Sequence, residues 1–499
     1  MARQDTLFFL LIVIIFAVQA CQPQQSETCT ADGCANIDKS CALDPPPMAN
    51  YVLLADGTAI RDALGRRVLL RGVNASGRAK MPPFAPFEFD ANSYDAALAA
   101  YLDRAQAWGI DVIRAPFTWE AVEPSRGTDS ADYLARYDAL IDAAWARRIW
   151  TVIDFHQDVY TRAFCGDGFP IWTLPPVDAD GKPWPAPHDD CPGWYQQYFD
   201  TTSPAAAAFD RFWGSEGTVR QDYRALWTRM ATRYIDRPGV IAFEIINEPM
   251  AGSAQMGAWE ANTLSPFYTE MTGLLQSIAP TMLVAIDTSP LDGMTFSTNL
   301  AKPALSGVVF APHWYDPAVY TSGAFDLAAP ATAVAAWKTV GDAWNVPTWI
   351  GETGYPHDRD QAAQAASALY DALDANGVHA TWWDYSVAKT SWNSETLSLV
   401  DGDGNEFAAI VDAVARPYPR AIAGDDATWS WSLVSRQFKL TWSATAGGQS
   451  EISLPTRAFP RGWTVQVTGD ACASPAYGQR GLFVRAGGAG TVSVVVTAK

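Results

Sequence analysis

The chain has 499 residues, 48% of them hydrophobic and 18% charged, enough apolar material for two or three domains with a large buried core, so disorder is excluded as its main state. Acidic residues outnumber basic ones 54 to 35, a formal charge of −19 that repels polyanions, and with no segregated basic patch this excludes nucleic acid as a partner. Aromatic residues make up 12%, with 21 Trp against 9 Met, and flat rings in that number suit surfaces that stack on sugars or cover acyl chains as well as a Trp-rich core.

Arg3 precedes an apolar run from Leu7 to Val18, which at 12 residues is short for a membrane span of about 20 and has the form of a signal-peptide core. It runs into Val18-Gln19-Ala20-Cys21, which resembles the lipobox of bacterial lipoproteins; ordinary secretion after Ala20 is the alternative. Residues 1–21 are therefore read as an export signal, and the protein as secreted or anchored to a membrane surface through lipid on Cys21. Removing Cys21 leaves an even set: Cys29, Cys34, Cys41, Cys165, Cys191 and Cys472. Cys165 and Cys191 share one long loop and are the easiest pair to join, the other pairings stay open, and free buried thiols are the alternative to disulfides.

Residues 22–50 are polar, contain three cysteines and Pro45-Pro46-Pro47, show no hydrophobic period and read as a tether. A hairpin is expected from Tyr51 through the Asp56-Gly57 turn, with a second return through Gly65. Then short apolar strands alternate with amphipathic stretches, the pattern of parallel strands covered by helices. Eight strands are expected, at 67–74, 110–117, 149–155, 240–246, 282–287, 307–312, 347–351 and 379–384, and helical spacing appears in Tyr94-Leu98-Tyr101-Leu102-Ala105 and Leu134-Tyr137-Ile141-Ala144-Trp145. This is an α/β pattern that predicts a (β/α)8 TIM barrel over 51–422; an open doubly wound sheet is the alternative, but no glycine-rich phosphate loop follows the first strand. Residues 423–499 change to period-two alternation, as in Phe438-Leu440-Trp442 and Val492-Val494-Val496, and predict a C-terminal all-β sandwich domain.

Polar residues at the carboxyl ends of barrel strands face the site. Strand four runs into Asn247-Glu248-Pro249 and strand seven into Gly351-Glu352-Thr353, so two carboxylates point across one mouth. That pairing is what retaining glycoside hydrolysis needs, one carboxyl to donate a proton and one to attack, roughly 5–5.5 Å apart. A lone Asn-Glu-Pro is also found at ordinary loop starts; the match on strand seven is what raises it. Arg114 on strand two can keep an attacking carboxylate ionised. Asp154, His156 and Asp158 end strand three, and His313 and Tyr315 end strand six, although a lone histidine is more often structural; only 5 His occur in the chain. Trp383, after strand eight, is expected as the floor under a sugar ring, with the alternative that Trp382 faces inward and Trp383 packs on a helix.

Asn247-Glu248-Pro249 after an apolar strand, with Glu352, Arg114, His313, Tyr315 and Trp383, resembles glycoside hydrolase family five. Asp154-Phe155-His156-Gln157-Asp158-Val159-Tyr160, with Asn74 and Lys80 after strand one and the trailing sandwich, resembles its endoglycoceramidase subgroup, which cuts between glycan and ceramide; the likeness spans about 51–499. The resemblance implies that Glu248 is the acid/base and Glu352 the nucleophile. It implies that Asn247 holds the sugar 2-hydroxyl, that Tyr315 bonds the nucleophile, that Arg114 and His313 belong to the catalytic set, and that Lys80, Asp154, His156, Asp158 and Trp383 contact the sugars. Relatives that remove one sugar from glucosylceramide or sterol glucosides share much of this pattern.

A stretch from Thr161 to Trp213 carries Trp172, Trp184, Trp194, Tyr195, Tyr198, Phe199 and Trp213. It reads as a cover for an apolar aglycone or as an insertion filling its own small core. The sequence thus predicts a monomeric, exported glycosidase acting on glycolipid, with no metal or cofactor. The competing readings are an endo-β-glucanase and a surface glycan-binding lipoprotein without activity.

Overall fold

The computed structural model describes residues 36–48, 52–90, 92–214 and 218–499; the expected export signal, Cys21, Cys29 and Cys34 lie outside the described residues. Among these no helix is long and apolar enough to cross a membrane.

The eight expected strands form one parallel sheet: β1 (Arg71–Asn74), β2 (Val112–Phe117), β3 (Trp150–Phe155), β4 (Val240–Glu244), β5 (Leu283–Ile286), β6 (Val308–Phe310), β7 (Trp349–Thr353) and β8 (His379–Trp382). Their order is β6-β5-β4-β3-β2-β1-β8-β7, and a bridge between Phe310 and Thr348 joins the two ends. The Phe310 N–H donates to the Pro347 carbonyl at 3.0 Å and the Gly351 N–H to the Pro312 carbonyl at 3.1 Å. The sheet is closed, so the open doubly wound alternative is set aside. Every residue of β2, β3 and β4 is buried, as expected of strands covered on both faces, and this is why they read as continuous apolar runs. The helices follow the expected spacing. Leu98, Tyr101, Leu102 and Ala105 are the buried face of the helix Tyr94–Ala107. In Ala131–Ala146 the Ser130 side chain accepts the Tyr133 N–H and caps the first turn.

Two domain boundaries differ from expectation. The hairpin Leu53–Asp56 and Ala59–Asp62 forms, but it belongs with Arg67–Val68 to a seven-stranded sheet whose other strands are Tyr418–Ile422, Gln449–Ser453, Ala471–Ala476 and Gly481–Ala486. Its apolar side closes the bottom of the barrel, where Leu53, Ile60 and Val68 pack with Val112, Trp150, Ile241, Leu283, Val309 and Trp349. Leu53, Ile60 and Val68 are apolar because they plug a barrel end, and Tyr418–Ile422 pairs with Arg67–Val68, so the β domain begins before residue 423. The expected tether is the second correction. Asn36–Ile37 adds a parallel strand to Trp463–Thr468, and Cys41 is joined to Cys472 by a disulfide, so residues 36–48 are held against the β domain.

The second sheet of that domain runs Asn36–Ile37, Trp463–Thr468, Gly490–Ala498, Gln437–Ala444 and Gly424–Ser432. Phe438, Leu440 and Trp442 meet Ile452, Val484 and Leu482 of the first sheet in one core, the two-sheet packing expected of a sandwich.

Ile60 is fully buried in the plug, so Ile60→Ala should cost about 2–5 kcal/mol by chemical denaturation. A loss below about 0.5 kcal/mol would show that the hairpin does not complete the barrel core.

Candidate active site

The site is built at the carboxyl ends of the strands around one buried cation. The guanidinium of Arg114, on β2, is fully buried and its Nε and Nη2 fork onto Glu244 of β4 at 2.8 and 2.7 Å. Nη1 donates to Glu352 Oε1 at 2.7 Å and to Asn74 Oδ1 at 3.0 Å. Nη2 also reaches Asn247 Oδ1 at 2.8 Å and Asp154 at 3.1 Å. One side chain thus ties β1, β3, β4 and β7 together. Tyr315 donates to the other Glu352 oxygen at 2.8 Å; burial, with Glu352 beside it, holds that phenol in its protonated form.

Glu248 faces Glu352 across the mouth: one oxygen of each, with a nitrogen of His313, all lie within 4.8 Å of one another. This is the apposition of two carboxyls that direct attack by a carboxylate needs. Burial, reinforced by Asp158, pushes the Glu248 carboxyl up to about 8. His313 Nδ1 lies 2.9 Å from Glu248 Oε1, and burial lowers that imidazole to about 4, so at neutral pH it is an uncharged partner. Gly351, just before Glu352, permits this packing, since a Cβ there would lie 2.9 Å from His313 Nε2.

Beside the pair lies a polar pocket. Lys80 Nζ bonds Asp158 Oδ2 at 2.5 Å and approaches Glu395 at 3.8 Å. Burial opposes its charge, but Asp158 and Glu395 outweigh burial and hold the ammonium above its usual range. Lys80 sits 4.3 Å from the Trp383 ring centre and 3.9 Å from that of Trp392. Trp383 stacks on His156 with centroids 5.2 Å apart, while Trp382 packs toward Tyr355 and Tyr370. Trp383 therefore faces the site and Trp382 the helices, the reverse of the alternative weighed from sequence. His156 bonds Asp154 at 2.8 Å; burial works against its charge, yet Asp154, Asp158 and Asp167 raise it to about 10. Asp154 itself is fully buried between Arg114 and His156, so it braces the pocket from behind.

The aromatic stretch divides its tasks. Cys165 and Cys191 are disulfide-bonded, and Asn393 bonds both backbones, accepting from the Cys191 N–H at 2.9 Å and donating to the Cys165 carbonyl at 2.7 Å. Trp194 then meets Trp392 at 4.8 Å, and the Tyr198 hydroxyl reaches Asp158 at 3.4 Å. Trp172 packs on Trp119, and Trp184 on Phe164. Trp213 ends the helix Pro204–Trp213 and fills a local core with Phe209, Phe212 and Trp259.

Sequence reasoning missed Glu244, Asp287, Asp167, Gln157 and Glu395. Two carried a signal: Glu244 is the one charge in the β4 run Val240–Glu244, and Asp287 directly follows β5. Several of these acids approach histidines closely enough to hold a metal, among them His156 with Asp158 and Asp167, and Glu244 with Asp287 and His313. Lys80 already neutralises Asp158, and Arg114 already neutralises Glu244; two apposed carboxyls supply an acid and a nucleophile by themselves.

A closed barrel with paired carboxyls at the ends of β4 and β7 defines a glycoside hydrolase. The chain matches the cellulase family, glycosyl hydrolase family 5, over residues 62–389, and the glycoside hydrolase family 5 C-terminal domain over residues 416–496. It belongs to glycosyl hydrolase family 5. It is 26% identical over 467 residues to endoglycoceramidase I of Rhodococcus hoagii, covering 89% of this chain and 88% of that one. It superposes on endo-glycoceramidase II from Rhodococcus sp., solved with ganglioside GM3, with TM-score 0.73 and 26% identity over 89% of this chain and 100% of that one. The same relative has been solved as a lactosyl-enzyme intermediate, TM-score 0.71 at 26% identity over 89% of this chain and 100% of that one. A glucosylceramidase of Cryptococcus neoformans is 35% identical over 128 residues, 23% of this chain and 17% of that protein.

Arg114 is the cation on which Glu244, Asp154 and Glu352 converge, so Arg114→Met should destabilise the protein by about 3–5 kcal/mol at neutral pH, the cost of leaving buried carboxylates without their partner. Urea unfolding measures this; a loss under about 1 kcal/mol would mean that the carboxyls do not depend on it.

Proposed function

We propose that this chain is an exported retaining β-glycosidase that cuts the bond between glycan and ceramide in glycosphingolipids. The observation that carries the reading is the apolar exposure of the loops at the carboxyl ends of the strands. Beside the carboxyl pair stands the polar Lys80, Asp158 and Trp383 pocket, and the loops after β3, β5 and β6 expose Tyr195, Phe199, Met294, Tyr320 and Leu327. Of the twelve large apolar side chains exposed among the described residues, seven lie on these loops, which favours an aglycone of hydrocarbon over a further sugar and sets the endo-β-glucanase reading second.

In the proposed reaction Glu248, protonated, donates to the oxygen leaving with ceramide while the Glu352 carboxylate attacks the anomeric carbon and forms a glycosyl-enzyme. Glu248, now ionised, takes a proton from water, whose oxygen displaces Glu352 and regenerates both groups. Arg114 and Tyr315 hold Glu352 at its two oxygens, and Asn247 faces the sugar 2-hydroxyl. The relatives that act on glycosylated ceramides support this reading. Release of a single glucose is the second reading, favoured by the enclosure of Lys80, which is 2% exposed beneath Trp392 and Trp194.

Incubation with a detergent-dispersed panel of lactosylceramide, ganglioside and glucosylceramide should release intact glycan from the first two. Glucose from glucosylceramide alone would move the enzyme to the second reading, and cellulose cleavage with untouched glycolipid would overturn the lipid assignment. The pH dependence has a fixed sign. Glu248 must carry its proton in the first step, so turnover should fall as pH rises through about 8. A rate still climbing above pH 9 would contradict Glu248 as the acid.

A further inference from the structure

Glu248 stands in an unusual backbone state. Its φ is +37°, a region that residues other than glycine, Asn and Asp seldom enter unless the surroundings impose it. Two side chains from neighbouring strand ends grip it. Asp287, directly after β5, accepts the Glu248 N–H through Oδ2 at 2.9 Å. Gln157, two residues beyond β3, donates through Nε2 to the carbonyls of Asn247 and Glu248 at 2.8 and 2.9 Å, and Asn247 returns a bond from Nδ2 to the Gln157 carbonyl at 3.0 Å. Asp287 is fully buried and further anchored by the Thr288 N–H, 2.6 Å from Oδ1.

His313 lies between Asp287 and the Glu248 carboxyl. His313 Nε2 lies 3.3 Å from Asp287 Oδ2 and His313 Nδ1 lies 2.9 Å from Glu248 Oε1. With Glu248 protonated, its O–H donates to Nδ1, which leaves the imidazole proton on Nε2, the nitrogen nearer Asp287. The other groups facing this histidine are Glu244, 3.9 Å from Nε2, and Glu352, 3.6 Å from Nδ1. Glu244 is already forked on Arg114 and Glu352 is bonded by Arg114 and Tyr315, and Asp287 is the acid nearest to Nε2.

We infer that Asp287 and Gln157 are positioning residues for Glu248: they clamp the two ends of its peptide in the left-handed conformation and so fix where its carboxyl points. The inference rests on the acid role proposed for Glu248, and neither residue needs to touch the substrate. A misaimed acid harms only reactions that need protonation of the leaving group.

The test compares aryl β-lactosides of poor and very good leaving groups in Asp287→Asn and Gln157→Leu. Each variant should lose about tenfold to hundredfold in kcat/KM on the poor leaving group and less than about threefold on dinitrophenyl lactoside. Each loss should largely vanish when the substitution is added to Glu248→Ala, since both act through one group. Gln157→Leu removes no charge and carries the test should Asp287→Asn fail to fold. Equal losses on both substrates, full additivity with Glu248→Ala, or a loss below threefold on the poor leaving group would overturn the inference. The aryl assay is independent of the aglycone, so failure on glycolipid would strike the proposed substrate and leave this inference standing, whereas a wild type inactive on every aryl lactoside would strike the proposed reaction.

Discussion

A guanidinium held without water among carboxylates is the constraint on which this site is organised. Arg114 binds Glu244, Asp154 and Glu352 at once, and those acids come from three strands that meet only in the closed barrel. The surrounding charge is lopsided: Asp154, Asp158, Asp167, Glu244, Glu248, Asp287, Glu352 and Asp384 are all buried, against Arg114, Lys80 and a protonated His156. Such an excess cannot ionise fully in a low-dielectric site. Burial lifts Glu248, Asp167, Asp287 and Asp384 above the usual carboxylate range. Glu352, by contrast, is bonded at one oxygen by Arg114 and at the other by Tyr315, while Glu248 has a buried uncharged imidazole for a neighbour. Two carboxyls with oxygens less than 5 Å apart are thereby given different partners, and different partners suit them to different tasks.

The rest of the molecule keeps that arrangement rigid at one end and adaptable at the other. The bottom of the barrel is stoppered by a hairpin that is also part of the β domain, and the Cys41–Cys472 disulfide fastens the preceding segment to that domain. At the top, the Cys165–Cys191 disulfide closes the long loop after β3 on itself, and Asn393 in the loop after β8 bonds both cysteine backbones. That junction holds Trp194 against Trp392 and so roofs the Lys80 pocket. Loops on a rigid barrel are where this architecture varies its chemistry.

What the sequence disclosed and what it withheld divide along a physical line. The eight barrel strands were legible because burial on both faces makes each an apolar run, and Glu248 and Glu352 because each interrupts such a run at its carboxyl end. Arg114, His313 and Tyr315 were legible for the same reason. The hairpin was recognisable from Asp56-Gly57, but its destination was not, since an apolar face does not name its partner, and Leu53 and Ile60 suit a plug as well as a barrel strand. The segment 36–48 carried no hydrophobic period because its attachment is covalent and through one short strand. Asp154 was read as a sugar ligand from its place in the motif. Alternation does put Asp154 on the same inward face as His156, two residues on, but one layer deeper, between His156 and Arg114, a depth that sequence alone does not give.

The central claim is that Glu352 forms a covalent bond to the sugar while Glu248 handles the proton. It is tested most directly by trapping the enzyme with a fluorosugar glycoside that forms the glycosyl-enzyme but resists its hydrolysis, followed by peptide mass mapping. The account predicts one added sugar per chain, on the peptide and side chain of Glu352. A sugar on Glu248, or continued turnover with no covalent adduct at all, would contradict it.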